Sequence, residues 1–137
     1  MREVSVQGYS TAWETPAVGS VGPDFINMVA RLSTPLSAEA LKTQVLNKIE
    51  RQLGRIRTAD KNAPRTIDLD ILIYAGRAID PQIWVYPHLA IPLAELIPEF
   101  RNAQTNVTLA EVARRLLQES DARLLPRPDI SVNHSVR

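Results

Sequence analysis

The chain has 137 residues, about one domain's length, and its 45% hydrophobic and 23% charged residues are the usual composition of a folded globular protein. With 16 Lys and Arg against 15 Asp and Glu, the formal net charge is +1, which argues against a dedicated nucleic-acid binder. The absence of cysteine excludes disulfides and thiolate chemistry, the apolar runs are too short for a membrane span, and no signal-peptide core follows Met1, so we expect a cytoplasmic protein without membrane partners.

Two strands and one long helix are predicted in the first half. Residues 4–11 are rich in β-formers, and residues 25–32 form a second strand with one purely apolar face, made of Ile26, Met28, Ala30 and Leu32. Ser37 is a good helix N-cap, and Gly54 is a typical residue just beyond a helix end. Between them the apolar residues recur at helical spacing, namely Leu41, Val45, Leu46, Ile49 and Leu53.

The second half alternates short elements with prolines. A strand is predicted over residues 66–74, a short hairpin over 78–85 and one helical turn over 93–96. Thr108 and Glu111 form a capping box that opens a helix to about Glu119. We therefore predict an α+β fold, with helices on one face of a mostly antiparallel sheet, as a single domain over residues 1–125 with a loose tail at 126–137.

Two acids mark the candidate site. On a strand Asp68 and Asp70 point to the same face, with Cβ atoms about 7 Å apart. Mg²⁺ binds carboxylate oxygens together with water and substrate phosphates, so the pair is suited to a magnesium–triphosphate site. The alternative is a polar strand face exposed to water.

The neighbouring residues each allow two interpretations. Arg55, Arg57 and Arg65 are suited to phosphate oxygens, or they form surface ion pairs with the acids. His88 is a candidate hydrogen-bond partner for a phosphate or ribose, or a structural residue. Phe25 and Asn27 share a strand face and suit a heteroaromatic ring, or ordinary sheet contacts. The chain has neither a P-loop nor a Rossmann glycine motif, so a nucleotide site would be built differently.

The segment 64–72, Pro-Arg-Thr-Ile-Asp-Leu-Asp-Ile-Leu, resembles the signature of the 6-hydroxymethyl-7,8-dihydropterin pyrophosphokinase family of folate biosynthesis. Further motifs resemble this family in the same order between Val4 and Glu99, namely residues 15–19, 23–27, 50–57, 87–88 and 92–98. The resemblance implies a ferredoxin-like fold and transfer of pyrophosphate from ATP to the pterin hydroxymethyl group, releasing AMP.

The resemblance also implies residue roles. Asp68 and Asp70 would hold two Mg²⁺ ions, while Arg55 and Arg65 would bind phosphates near the reaction centre. The residues that would contact ATP are Glu50, Arg57, Ile71 and His88, and those that would line the pterin pocket are Thr15, Pro16, Val18, Phe25 and Asn27.

Two departures from the family pattern bear on activity. The family's first strand, which ends in Gly-Ser-Asn, and its first helix have no counterpart in the matched segment, so we expect either a homo-oligomer that covers the exposed sheet edge or closure of the gap by other strands. Only Leu89, Ala90 and Ile91 lie between His88 and Pro92, where the family has a longer loop with an arginine and a phenylalanine.

Asn62 and Ile83 also differ from the tryptophan and the basic residue found in many members. Two functions follow from this pattern. One is a pyrophosphokinase of reduced activity, favoured by the retained acids and arginines. The other is an inactive relative that binds nucleotide or pterin, or serves as an interaction subunit.

Overall fold

The computed structural model describes residues 4–15, 25–56, 68–120 and 122–124, and these belong to two compact units. The helix unit contains Val4 and the described part of residues 34–80, and the hairpin unit contains the described parts of 5–33 and 81–137. Seven short strands are found in this part of the chain: β1 (Ser5–Tyr9), β2 (Trp13–Thr15), β3 (Phe25–Asn27), β4 (Ala30–Ser33), β5 (Ile73–Tyr74), β6 (Arg77–Ala78) and β7 (Arg123–Leu124). The α+β class is confirmed and is consistent with the ferredoxin-like expectation, with the strands arranged as small antiparallel sheets.

The hairpin unit is built on short strands that pair in two separate sheets. β1 pairs with β4, and β2 pairs with β3 on one side and with β7 on the other, all antiparallel. The single strand predicted over residues 25–32 is wrong, because Met28 and Val29 interrupt it and its two halves join different sheets. Its predicted apolar face is not a core face, since Ile26 is 68% exposed.

Ser10 explains the interruption. Its side chain is completely buried, its N–H donates to the Val29 carbonyl over 2.8 Å, and its Oγ accepts from the Val29 N–H over 2.9 Å. The same hydroxyl donates to the Thr11 carbonyl over 2.8 Å. Because this hydroxyl satisfies backbone groups that a ladder would otherwise pair, the ladder is interrupted at this point without leaving those groups unpaired.

The helix unit is built on one helix over residues 38–56. It consists of α1 (Ala38–Ala40), a π-helical turn (Leu41–Leu46) and α2 (Asn47–Ile56). The Ser37 N-cap is confirmed, since its Oγ accepts from the Ala40 N–H over 3.0 Å. The prediction that the helix ends at Gly54 is wrong, because α2 continues to Ile56.

The apolar stripe of this helix forms the core of the unit, as predicted. Leu41, Val45 and Leu46 are buried, and half-buried side chains pack against them, namely Val4, Leu36, Ile49, Leu69 and Ile71. The residues that flank the two candidate acids are thus part of this core.

The predicted strand over residues 66–74 forms only as β5, and it pairs with β6 through a two-residue turn. Both turn residues have positive φ, 52° at Ala75 and 78° at Gly76, as expected of the turn type that fits a twisted hairpin. The predicted hairpin at 78–85 is therefore wrong: the hairpin lies earlier, and a 3₁₀-helix at Pro81–Trp84 takes its place.

Two helices in contact complete the hairpin unit, α3 (Pro87–Leu96) and α4 (Leu109–Glu119). The sequence predicts only one turn of α3, over residues 93–96, because its prolines are typical of loops. Pro87 occupies the first turn, where no N–H is needed, and the buried Pro92 removes only one helical hydrogen bond. The capping box of α4 is confirmed, with the Thr108 Oγ1 accepting from the Glu111 N–H over 3.2 Å.

None of the helices in the described ranges is long and apolar enough to cross a membrane. The boundary predicted at residue 125 and the tail at 126–137 lie outside the described residues and stay predictions, as does the expected homo-oligomer.

Candidate functional site

The two candidate acids flank a residue of the helix-unit core. Asp68 and Asp70 are exposed, and the Asp70 side chain retains 69% of its accessible surface. Leu69 and Ile71, which alternate with them, are half-buried and pack against the core of the helix. The acids are therefore on the opposite side of the segment from the core, as the alternation predicts, although residues 68–72 form no strand ladder.

Two side chains of the helix replace the missing ladder. The Glu50 Oε2 accepts the Leu69 N–H over 2.6 Å, and the Lys42 Nζ donates to the Leu69 carbonyl. Lys42 also forms ion pairs, at 3.8 Å to the Glu50 Oε2 and at 3.5 Å to the Asp70 Oδ1. We call Lys42 and Glu50, with the Leu69 peptide between them, the Leu69 clamp.

The hydrogen bonds and the ion pairs of the clamp contribute different amounts to stability. Each hydrogen bond from or to a charged group that is partly buried contributes about 1.5–3 kcal/mol. The ion pair of Lys42 with Asp70 contributes only about 0–1 kcal/mol, because the Asp70 carboxylate is largely in water. The clamp therefore acts mainly on the Leu69 main chain and leaves both neighbouring carboxylates accessible.

The donor set fits magnesium bound together with a phosphate ligand. Within the described ranges no group of three or more His, Cys, Asp or Glu side chains could hold a metal by itself. Mg²⁺ is usually held by only one or two carboxylates, with waters and substrate phosphates as its other ligands. Two accessible carboxylates on a fixed segment meet that requirement, whereas a site made of protein ligands alone is not found there.

The structure describes only some of the other predicted site residues near the acids. Ile71 is half-buried and packs against the core beside the acids. Arg55 lies in the last turns of α2, close in sequence to Glu50. Arg57 and Arg65 lie outside the described residues.

The remaining predicted residues belong to the hairpin unit. Thr15 pairs with Phe25 in the ladder of β2 and β3, and Asn27, which is half-buried, pairs there with Trp13. His88 lies in the first turn of α3, and its ring stacks on that of Tyr86, with centroids 5.4 Å apart. Two predicted pterin contacts, Pro16 and Val18, lie outside the described residues.

Sequence reasoning missed Lys42. A lysine beside an apolar stripe is ordinary on a solvated helix, and its distance of eight residues from Glu50 does not by itself predict a shared partner. The π-helical turn between them changes which residues share a face, and no local pattern signalled it.

Glu95 is a second residue that the sequence did not reveal. Its Oε1 accepts the Thr11 N–H over 2.8 Å, and its Oε2 accepts from the Thr11 Oγ1 and the Trp13 Nε1, each over 2.5 Å. This carboxylate ties α3 to β2 and its preceding residues. It borders an open, mostly apolar hollow of about 300 Å³ that α3 and α4 line together with Trp13.

Comparison with known proteins identifies a family and several relatives. The family model for 7,8-dihydro-6-hydroxymethylpterin-pyrophosphokinase matches residues 1–114. The chain is 31% identical to the 2-amino-4-hydroxy-6-hydroxymethyldihydropteridine pyrophosphokinase of Synechocystis sp., over 82% of this chain and 61% of the relative. It is 32% identical to the protein of the same name from Methylorubrum extorquens, over 70% of this chain and 65% of that relative.

A third relative, the folate synthesis bifunctional protein of Arabidopsis thaliana, is 34% identical over 69% of this chain and 21% of its own length. The chain thus spans less than two thirds of the length of each of these relatives.

Proposed function

We propose that this chain, which belongs to the 7,8-dihydro-6-hydroxymethylpterin-pyrophosphokinase family, transfers pyrophosphate from ATP to 6-hydroxymethyl-7,8-dihydropterin and releases AMP. The observation that carries the proposal is the exposure of Asp68 and Asp70 on either side of the clamped Leu69 peptide. The names of the relatives, which refer to this pyrophosphokinase and to folate synthesis, support the substrate class.

The acids would hold magnesium with the ATP phosphates. The chemistry supplied by two bound Mg²⁺ ions is neutralisation of the triphosphate charge. Asp68 and Asp70 suit this role because both carboxylates face away from the core and are accessible. Arg55 and Arg65 would add guanidinium donors to the phosphates.

The other residues would orient the two substrates. We assign ATP contacts to one set, Glu50, Arg57, Ile71 and His88, and pterin contacts to another, Thr15, Pro16, Val18, Phe25 and Asn27. Because the whole chain lacks cysteine and ATP is a co-substrate, the cytoplasm is the compartment we propose.

One observation favours a second candidate, a relative that binds nucleotide or pterin without efficient transfer. The segment between His88 and Pro92 is part of α3, with Ala90 and Ile91 buried in the hairpin unit. A helix with buried side chains leaves no loop there to carry the arginine and phenylalanine that the family pattern has at this point. Loss of an arginine that stabilises transition-state charge lowers rates by about 10³–10⁵.

Calorimetry of ATP binding tests the feature that both candidate functions share, which is magnesium-dependent binding of the nucleotide. We expect Asp70→Asn to weaken binding at least about tenfold when Mg²⁺ is present and not to weaken magnesium-free binding, because the substitution removes the negative charge of a metal ligand and changes little volume. Glu39→Gln, which removes one charge from an exposed position on α1, is the matched control and should bind as the wild type does.

One result would refute the proposal, and a second would distinguish the two candidate functions. Equal binding of ATP with and without Mg²⁺ by the wild type would refute the metal role of the acids. If binding is magnesium-dependent, an AMP-release assay with the pterin substrate separates the candidates: AMP formation supports the pyrophosphokinase, and its absence supports the binding relative.

A further inference from the structure

The Leu69 clamp has a consequence for the reaction centre. We propose that Lys42 is a positioning residue, which holds the Leu69 carbonyl and thereby sets the directions of the Asp68 and Asp70 carboxylates. The role of Lys42 in the reaction rests on the proposed function. The clamp itself rests only on the observed hydrogen bonds and ion pairs. The role is assigned through the Leu69 carbonyl and the Asp70 carboxylate, because these groups are in contact with the Lys42 ammonium.

Both main-chain polar groups of Leu69, the N–H and the carbonyl, are bound by side chains of one helix. Glu50 accepts its N–H over 2.6 Å and Lys42 donates to its carbonyl, so both polar groups of this residue are satisfied by side chains. In a strand, neighbouring strands would fix the same two groups, but residues 68–72 have no ladder in the described part of the chain. The direction of the adjacent carboxylates therefore depends on the two helix side chains.

Lys42 contributes more to this arrangement than a surface lysine would. Its side chain is 35% exposed, and the same ammonium is 3.8 Å from the Glu50 carboxylate, whose side chain is 26% exposed. Because the ammonium neutralises the carboxylate that accepts the Leu69 N–H, removal of Lys42 affects both ends of the clamp. Its contact with Asp70, at 3.5 Å, adds a direct restraint on one of the two acids.

The clamp can be tested on the full chain without any ligand. In Lys42→Met the aliphatic stem stays and the ammonium is lost, so we expect the Leu69 amide to exchange with solvent about tenfold faster by NMR. Lys42→Arg, which keeps the charge and its donors, should hold the exchange rate within about threefold of the wild type. If Lys42→Met fails to fold, Lys42→Gln takes its place with the same expected exchange.

Binding supplies the second measurement. We expect Lys42→Met to weaken magnesium-dependent ATP binding about tenfold, to leave magnesium-free binding unchanged, and to be rescued by Lys42→Arg. A loss confined to magnesium-dependent binding, together with its rescue by Lys42→Arg, is not expected of a residue that only stabilises the fold.

Each outcome has one meaning. An unchanged Leu69 exchange rate in Lys42→Met would overturn the part that Lys42 has in the clamp. Faster exchange with unaltered magnesium-dependent binding would overturn the positioning role. If the wild type binds no ATP, the proposed function fails, whereas the exchange rates still support or overturn the part that Lys42 has in the clamp.

Discussion

Replacement of Ser10 by alanine tests most directly the account of why the strand pairing is interrupted. The hydroxyl is fully buried and makes two hydrogen bonds, accepting from the Val29 N–H over 2.9 Å and donating to the Thr11 carbonyl over 2.8 Å. Each net hydrogen bond contributes about 1 kcal/mol, and an unsatisfied buried N–H costs about 1–3 kcal/mol. Alanine fills nearly the same space, so we expect the loss to come from polar groups and to total roughly 2–3 kcal/mol.

Urea unfolding of wild type and Ser10→Ala, followed by circular dichroism, measures this loss. With an unfolding entropy of about 2.1 cal/mol/K per residue, a chain of 137 residues would lose about 7–10 °C in Tm. Ser33→Ala, the same change at an exposed position of β4, is the control and should alter the free energy of unfolding by less than about 0.5 kcal/mol. A loss of that small size for Ser10→Ala as well would refute the role given to the Ser10 hydroxyl at the interruption.

Three further predictions concern the hairpin unit. Thr108→Ala removes the α4 cap and should lower the free energy of unfolding by about 0.5–2 kcal/mol in urea titrations. Hydrogen bonds from the Thr108 N–H and side chain hold the pKa of Glu111 below its ordinary value of 4.5. The stabilisation from the ionised carboxylate is therefore complete above pH 4.5 and is lost as the pH falls through the lowered pKa, so the difference between wild type and Glu111→Gln should vanish in acid. Glu95→Gln leaves a single oxygen for three donors and should cost about 1 kcal/mol by the same assay, whereas Glu99→Gln should have little effect.

The confirmed local predictions depend on residues within a turn of one another. The Ser37 cap, the Thr108 and Glu111 capping box, and the apolar stripe of the long helix all follow from spacings of three or four residues. Such signals specify hydrogen bonds and faces within one element. For that reason the sequence predicts them before any tertiary contact is known.

The wrong predictions have causes distant in the chain. The break at Met28 and Val29 comes from Ser10, which is 19 residues from Val29. Helix α3 forms despite Pro87 and Pro92, because one proline lies in the first turn and burial in the hairpin unit compensates the hydrogen bond lost to the other. The tendency of proline to occur in loops is a local preference, and here burial of the helix outweighs that preference.

For the candidate site, the sequence by itself determined the chemical groups: alternating acids, neighbouring arginines and a motif order that indicates one family. It also determined which way the acids face, since alternation in an extended segment follows from backbone geometry even without a ladder. Only the tertiary structure decided what holds them, because Glu50 and Lys42 reach the Leu69 peptide from 19 and 27 residues away. Contacts over such separations depend on how the helix turns and packs, and the π-helical turn that brings both side chains to one peptide leaves no periodic trace in the sequence.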